Sequence, residues 1–365
     1  MMKKRVIILI FALVSVLLLN TACSRKVDTQ NKQNSNAGES MSEKQDIYEP
    51  KFEVAELENG LCTVQYDGDY GFDDFMTQGG ASSDADVVAF LTKRISISGF
   101  SFDKIGFGCS TLAVQDGTGH FLFGRNFDWN HCNAMIVRSA PKNGYESIST
   151  VNTDFISGVN FSRLPDEVQA MIALYAPLDG MNEKGFVVSV NMIQDSATIS
   201  QNTEKPDITT TTAIRLLLNQ AANVEEALEL LDKYDMHASM GYMVHFAMSD
   251  TDGCSVVAEY VNNKMIVTKT PVVTNFYLAE SEKYGIGTEQ SHTRYDILTK
   301  RLNQTSIMSM EDVRDALSSV SKGNFGEFES TEWSIVYNQS AGEAHYYHRE
   351  NYDNRYIFNI KEETP

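Results

Sequence analysis

Cys109 follows Gly108 directly, and a charged pair, Arg125 and Asp128, closes the stretch GFGCSTLAVQDGTGHFLFGRNFD over residues 106–128. A free thiol titrates near about 8.5 and an α-amino group near about 7.7–8.0. A cysteine at an amino terminus carries both groups, so its amine can take the thiol's proton without a histidine. Freeing that amine requires a cut between Gly108 and Cys109. The same thiol can attack the Gly108 carbonyl, form an ester-like intermediate and leave the new terminus after hydrolysis. Glycine tolerates the strained backbone of such a step. Arg125 is permanently charged, and a nearby cation favours a thiolate and anionic intermediates. Asp128 is an acceptor suited to orienting the Cys109 amine. The plainer alternatives are a small buried hydrophobe at Cys109 and a surface ion pair between Arg125 and Asp128.

Other constellations are weaker. His345 and His348 look like a metal pair, but three residues apart on a strand they face opposite sides. His131 and Cys132 are neighbours and diverge on an extended chain. A papain-like pairing of Cys109 with His245 stays open, but it leaves the RNxD motif without a role. No metal or organic cofactor is expected.

The elements that position these residues come next. Residues 110–115 alternate, 116–119 (DGTG) signal a turn, and 120–126 return as the partner strand. Upstream, residues 52–66 read as strand material around a turn at 58–60. Residues 84–95 have helical spacing, capped by Ser82 or Ser83. Downstream, strands are expected at 134–138, 145–151, 171–176 and 186–193. Residues 209–234 read as two helices, the second started by Asn223 with Glu226 three residues on. Strands follow at 243–248, 254–261 and 265–269, helices at 292–302 and 310–320, and closing strands at 332–337, 344–348 and 356–360. Strands, then helices, then strands suggest an α+β fold with helices layered on antiparallel sheets.

The whole chain has 365 residues, 42% hydrophobic, with only 7 prolines, enough for a sizeable core in a globular class. Its formal charge of −19 argues against a nucleic-acid partner, which needs a basic face. Residues 1–22 read as a targeting segment: Lys3, Lys4 and Arg5, then an apolar run too short for a comfortable membrane span. The small residues before Cys23 resemble a bacterial lipobox, with Asn20 where Leu is usual. Cys23 would then be lipidated; the alternative is an ordinary secretory signal cut near Ala22. Either way the chain is expected to be exported. The lipoprotein reading anchors it to the outer face of the bacterial cytoplasmic membrane, or to an outer membrane. Residues 23–48 are polar and read as a flexible tether. Cys62, Cys109, Cys132 and Cys254 remain; with Cys109 kept free, at most one disulfide is expected.

The sequence GCSTL…GRNFDW resembles the choloylglycine hydrolase family of N-terminal-nucleophile (Ntn) amide hydrolases. That group includes bile salt hydrolases, penicillin V acylases and, more distantly, acid ceramidase and N-acylethanolamine acid amidase. Further matching segments follow in the family's order: 179–186 (DGMNEKGF), Val190-Asn191, Val273-Thr274-Asn275 and 291–294 (SHTR). The resemblance implies an αββα sandwich of two antiparallel sheets between helical layers. It implies Cys109 as nucleophile and its amine as base. Asn191 would donate to the oxyanion, Asn275 would hold the nucleophile's amine or the substrate amide, and Arg294 would support the anionic site from a second direction.

Two departures bear on substrate. In bile salt hydrolases the cysteine directly follows the initiator methionine, whereas here residues 49–108 intervene as a pre-segment, cleaved from or retained beside the catalytic chain 109–365. The interval from Asn275 to Arg294 is also short. Both look more like the acid ceramidase side. Phe127, Trp129 and Met135 are candidates for an apolar acyl pocket or for plain core. The implied activity is hydrolysis of a linear, non-peptide amide in a small N-acyl substrate. An acyltransferase of the same fold and an uncleaved lipid-anchored binding protein are the alternatives. Membrane contact would come through the lipid anchor only, and a homo-oligomer is compatible with the sequence.

Overall fold

A computed structural model of the protein describes residues 52–103, 108–323 and 329–360. The targeting segment 1–22, the tether 23–48 with Cys23, and the glycine at 106 lie outside the described residues.

Two sheets dominate. The larger has nine strands in the spatial order Ala55–Glu58, Leu61–Asp67, Ala134–Ala140, Ser147–Asn152, Asp179–Asn182, Val187–Met192, Val244–Ser249, Ser255–Val261 and Lys264–Lys269. The smaller has six: Val272–Val273, Gly108–Gln115, Phe121–Trp129, Ser330–Asn338, Glu343–His348 and Tyr356–Asn359. Pairing within both is antiparallel except where Leu61–Asp67 lies parallel to Ala134–Ala140. The main apolar core contains side chains of both sheets, so the sheets pack face to face. Helices Asp166–Leu174 and Thr210–Gln220 contact the larger sheet, and Glu289–Gln304 and Met310–Ser318 contact the smaller. The layering is αββα, as the resemblance implied.

The two-residue period of a strand sorts side chains between these layers. Along Gly108–Gln115, Cys109 and Ala113 join the core between the sheets. Leu112 and Val114 join a second cluster with Leu298, Val313 and Leu317 of the covering helices. The hairpin pairs Cys109 with Phe127 and Gly108 with Asp128.

Helix starts follow their caps. Ser83 accepts from the Asp86 N–H, Asn223 from Glu226, and Ser309 forms a capping box with Asp312. The helix expected from residue 292 begins at Glu289, because Thr288 caps it by accepting from Ser291. Arg294 therefore sits beyond the first turn, not at a solvated helix start, and it is buried.

One expected strand is a helix. Residues 171–176 fall in and after Asp166–Leu174, which follows Pro165 and carries Asp166 and Glu167 in its first turn. Every residue from Gln169 to Leu174 is buried, and a fully buried apolar run does not reveal its period.

The pre-segment is part of the core. Two of its strands form one edge of the larger sheet, and Tyr70, Phe72, Phe75, Val87, Leu91 and Phe100 are buried. Phe72, Phe75 and Phe90 cluster around Tyr175, with ring centroids 5.2–5.8 Å apart.

Candidate active site

The Cys109 side chain lies between the sheets with none of its surface exposed. Its Sγ donates to the Val190 carbonyl at 3.7 Å and accepts from Arg125 Nη2 at 3.4 Å. Arg125 also donates to the carbonyls of Val190 at 3.0 Å and Leu178 at 2.5 Å. Its counter-ion is Asp179, 2.9 Å away across the inter-sheet gap. Burial works most strongly against the Arg125 charge, but Asp179, Cys109 and Tyr337 together outweigh it and hold the guanidinium above its ordinary pKa. Asp179 is fixed in turn by Trp333 Nε1 and the Tyr337 hydroxyl, each at 3.1 Å.

The backbone of Cys109 is held from the other side. Its N–H donates to Asn275 Oδ1 at 2.8 Å, and its carbonyl accepts from Arg294 Nη1 at 2.5 Å. Arg294 also donates to Ser110 Oγ at 2.6 Å and to Asn275 Oδ1 at 2.7 Å. Asn275 Nδ2 donates to the Met192 carbonyl at 2.6 Å, tying this cluster to the larger sheet. One asparagine thus joins Cys109, an arginine and the opposite sheet.

Arg125 and Asp128 do not pair with each other. Three residues apart on a strand, they point to opposite faces. Asp128 faces the helical layer, where Oδ1 accepts from Thr331 Oγ1 at 2.7 Å. Its Oδ2 stands 3.5 Å from Arg294 and 3.8 Å from Lys322, with no hydrogen bond of its own. The Cys109 N–H goes to Asn275, so the expected contact of Asp128 with that nitrogen is not made while Cys109 is joined to Gly108. Asn126, between the pair, donates to the Leu317 carbonyl at 2.9 Å and fastens helix Met310–Ser318 to the sheet.

Asn191 adjoins the Val190 carbonyl that touches the thiol. Its Oδ1 accepts weakly from Ser189 at 3.4 Å, while its buried Nδ2 has no partner. A buried donor without a partner is costly, about 1–3 kcal/mol. It is suited to an oxygen that acquires charge during a reaction.

Burial outweighs Arg125 at the thiol. Cys109 is pushed up to about 11, with desolvation the main cause, Arg125 and Arg294 opposing it and Asp128 adding to it. Arg125 alone does not make a thiolate here.

His245 is not the base. Its Nδ1 lies 2.8 Å from Glu259 and its Nε2 2.8 Å from the Thr274 carbonyl, so both ring nitrogens are occupied away from the thiol. His345 bonds Glu343 and His348 pairs with Glu58. Among the described residues no group of side chains is arranged to hold a metal ion. Cys62, Cys109, Cys132 and Cys254 are all free thiols.

A cavity of about 920 Å³ opens beside Gly108, lined by Met192, Gln194, Asn275, Thr293, Arg294 and Lys322 among others. Phe127, Trp129 and Met135, the candidates for an acyl pocket, do not line it. Phe127 stacks on Trp333 at 3.9 Å in the core, and Met135 lines a separate cavity near residues 54–62.

The model of the linear amide C–N hydrolases, choloylglycine hydrolase family, matches residues 109–326. The chain belongs to that family. The family match begins at Cys109 itself. Among solved structures, the chain is similar to a point mutant of the conjugated bile acid hydrolase from Clostridium perfringens. Identity is 18% and the TM-score 0.54, over 70% of this chain and 93% of the other. A second variant of that hydrolase aligns at 17% identity and TM-score 0.52, over 70% and 94%. Penicillin V acylase from Agrobacterium tumefaciens aligns at 17% identity and TM-score 0.48, over 68% and 84%. No curated protein sequence matches the chain. At these identities the two bile acid hydrolase structures speak for the fold alone, and the family match speaks for amide hydrolysis.

Within this choloylglycine hydrolase-family chain, two residues with clear places in the site were not singled out from sequence. Asp179 opens the DGMN segment, where nothing in the sequence marks it as an ion-pair partner, yet it is the counter-ion of Arg125. Lys322 follows a capped helix and has no motif around it.

Proposed function

We propose that the protein is a cysteine Ntn amidohydrolase whose nucleophile is freed by self-cleavage between Gly108 and Cys109. The observation that carries this reading is a pair of buried polar atoms without hydrogen-bond partners, Asn191 Nδ2 and Asp128 Oδ2, flanking one cysteine. One is a donor suited to an oxyanion. The other is an acceptor suited to the extra N–H groups that appear when a peptide nitrogen becomes an amine.

In the cutting step the Cys109 thiol attacks the Gly108 carbonyl, and the acyl group moves from nitrogen to sulfur. Water then hydrolyses the thioester and releases a Gly108 carboxylate and a free Cys109 amine. In turnover that amine takes the thiol proton, and the thiolate attacks the carbonyl carbon of an N-acyl amide. Asn191 Nδ2 donates to the developing oxyanion. The protonated amine returns its proton to the leaving nitrogen, and the acyl group stays on sulfur as a thioester. Water, deprotonated by the same amine, releases the acid and restores the thiol. Arg125 stabilises charge at sulfur, while Asn275 and Arg294 fix the backbone of Cys109.

The substrate is a small N-acyl amide. The proposal includes export on the targeting segment 1–22 and anchoring through a lipidated Cys23, with no nucleic-acid partner at a formal charge of −19. Intact-mass analysis of the purified protein tests the reading, which requires a chain beginning at Cys109. Wild type and Cys109→Ala are then assayed on conjugated bile salts, penicillin V, N-acylethanolamides and N-acyl amino acids. Cleavage of an amide by wild type alone is the expected result. An intact chain that still hydrolyses, or a Cys109→Ala variant of unchanged rate, overturns it. Added amine acceptors separate hydrolysis from acyl transfer.

A further inference from the structure

Lys322 lies beyond helix Met310–Ser318 and reaches back towards the cleavage point. Its Nζ is 3.8 Å from Asp128 Oδ2, and only 13% of its side chain is exposed. A methyl group placed on Gly108 would stand 3.2 Å from that Nζ and 3.1 Å from Asp128 Oδ2. The ammonium therefore stands next to the residue whose departure would free the Cys109 amine.

The backbone keeps it there. The Lys322 N–H donates to Thr331 Oγ1 at 2.9 Å, the Thr331 N–H donates to the Lys322 carbonyl at 2.9 Å, and Thr331 Oγ1 donates to Asp128. Lysine, threonine and aspartate form one closed unit. Glu329 also pairs with Lys322, but its side chain is 38% exposed whereas that of Asp128 is fully buried. Water screens the first interaction far more than the second.

The charges around the future amine can be placed element by element. Strand Phe121–Trp129 brings Asp128 on the amine side and Arg125, paired to Asp179, on the other. Helix Glu289–Gln304 brings Arg294 at 3.5 Å from Asp128, with Glu289 on the cavity wall. The segment after helix Met310–Ser318 brings Lys322, and Glu350 lies against the neighbouring Gly323. Tyr352, pushed up to about 12 mainly by burial, bonds Ser334 and stays neutral.

We propose that Lys322 is a positioning residue of the reaction: acting through Asp128, it keeps the freed Cys109 amine neutral and able to accept the thiol proton. Asp128 alone would hold a proton on that amine, because an opposite charge nearby favours the charged form. A base that is already protonated cannot take the thiol's proton. Two cations on Asp128, Arg294 and Lys322, offset the carboxylate while leaving it in place as an acceptor. Arg294 is committed to the Cys109 backbone, whereas Lys322 makes no hydrogen bond to Asp128 and acts on it through charge alone, its own hydrogen-bond partner Glu329 being part-exposed and screened by water. This role rests on Cys109 becoming an amino terminus.

The test uses the full chain and needs no substrate. The rate of Cys109 alkylation by iodoacetamide is followed against pH by mass analysis of the Cys109 peptide. Wild type, Lys322→Met, Lys322→Gln and Lys322→Arg are compared. Loss of the charge should move the midpoint upward by about one pH unit, and alkylation at neutral pH should slow by about tenfold. Lys322→Arg should restore the wild-type midpoint. Profiles of cut Lys322→Met or Lys322→Gln protein that superimpose on wild type overturn the proposal, as does a shift that Lys322→Arg fails to reverse. Charge-free variants that stay uncut, beside a normally cut Lys322→Arg, would move the charge to the cutting step and overturn it in this form. A wild type with no chain starting at Cys109 sinks the parent reading instead, and mass analysis tells the two failures apart.

Discussion

Asp179 holds Arg125 from across the gap between the two sheets, at 2.9 Å, with neither side chain exposed. Breaking a buried pair by removing one partner leaves an uncompensated charge and typically costs about 3–5 kcal/mol. Asp179→Asn should lose stability in that range in urea unfolding. It should also lower kcat/KM, because Arg125 then loses its fixed aim at the thiol. An unchanged unfolding midpoint would refute the claim.

Asn191→Leu removes the donor without a partner while keeping the volume. Loss of one oxyanion donor costs about 10²–10³ in kcat. KM should change little, since the donor meets charge only in the transition state. Steady-state kinetics on the amide that wild type cleaves check this, and an effect confined to KM counts against the oxyanion role.

Gly108→Ala brings a methyl group to 3.1 Å from Asp128 Oδ2 and 3.2 Å from both Asp128 Cβ and Lys322 Nζ. That is tight packing against buried groups, so self-cleavage should slow. Intact mass after timed incubation reads the fraction cut. A cutting rate equal to wild type would remove the steric argument.

The Cys109 thiol is held near about 11 by burial in the uncut chain. A folded-state value above the unfolded one, about 8.5, stabilises the fold fully below the unfolded value. That contribution is lost as pH rises towards the folded value. The uncut protein should therefore lose stability between about pH 8.5 and 11, and Cys109→Ala should flatten that part of the curve. Urea midpoints across the window measure it.

After a cut, residues 52–103 should remain bound, because two of their strands and a cluster of aromatic side chains belong to the larger sheet's core. Both pieces should co-elute in size-exclusion chromatography and part only in denaturant. Separation in plain buffer would contradict this.

Much of this was legible in the chain. The DGTG turn between two alternating runs predicted the hairpin that carries Cys109 and Asp128, and Ser83, Asn223 and Ser309 marked their helices. The family resemblance implied that Asn275 and Arg294 stand near Cys109, and both meet at its backbone. The residues that escaped notice act over long sequence distances. Asp179 meets Arg125 only because two sheets stack, and Lys322 meets Asp128 because its backbone pairs with Thr331, which lies opposite Asp128 in the smaller sheet. Arg125 and Asp128 read as a pair, yet strand geometry alone sends them apart. Residues 171–176 read as a strand because the helix is buried at every position from Gln169 to Leu174, and such a run does not show its period.

Thiolates, far more than thiols, are the species that oxidants and disulfides capture. With Cys109 sealed between the sheets and its proton held tightly, the thiol is shielded from oxidants in solution as long as Gly108 stays attached. On the proposed self-cleavage, opening of the bond to Gly108 would end that protection and begin turnover together.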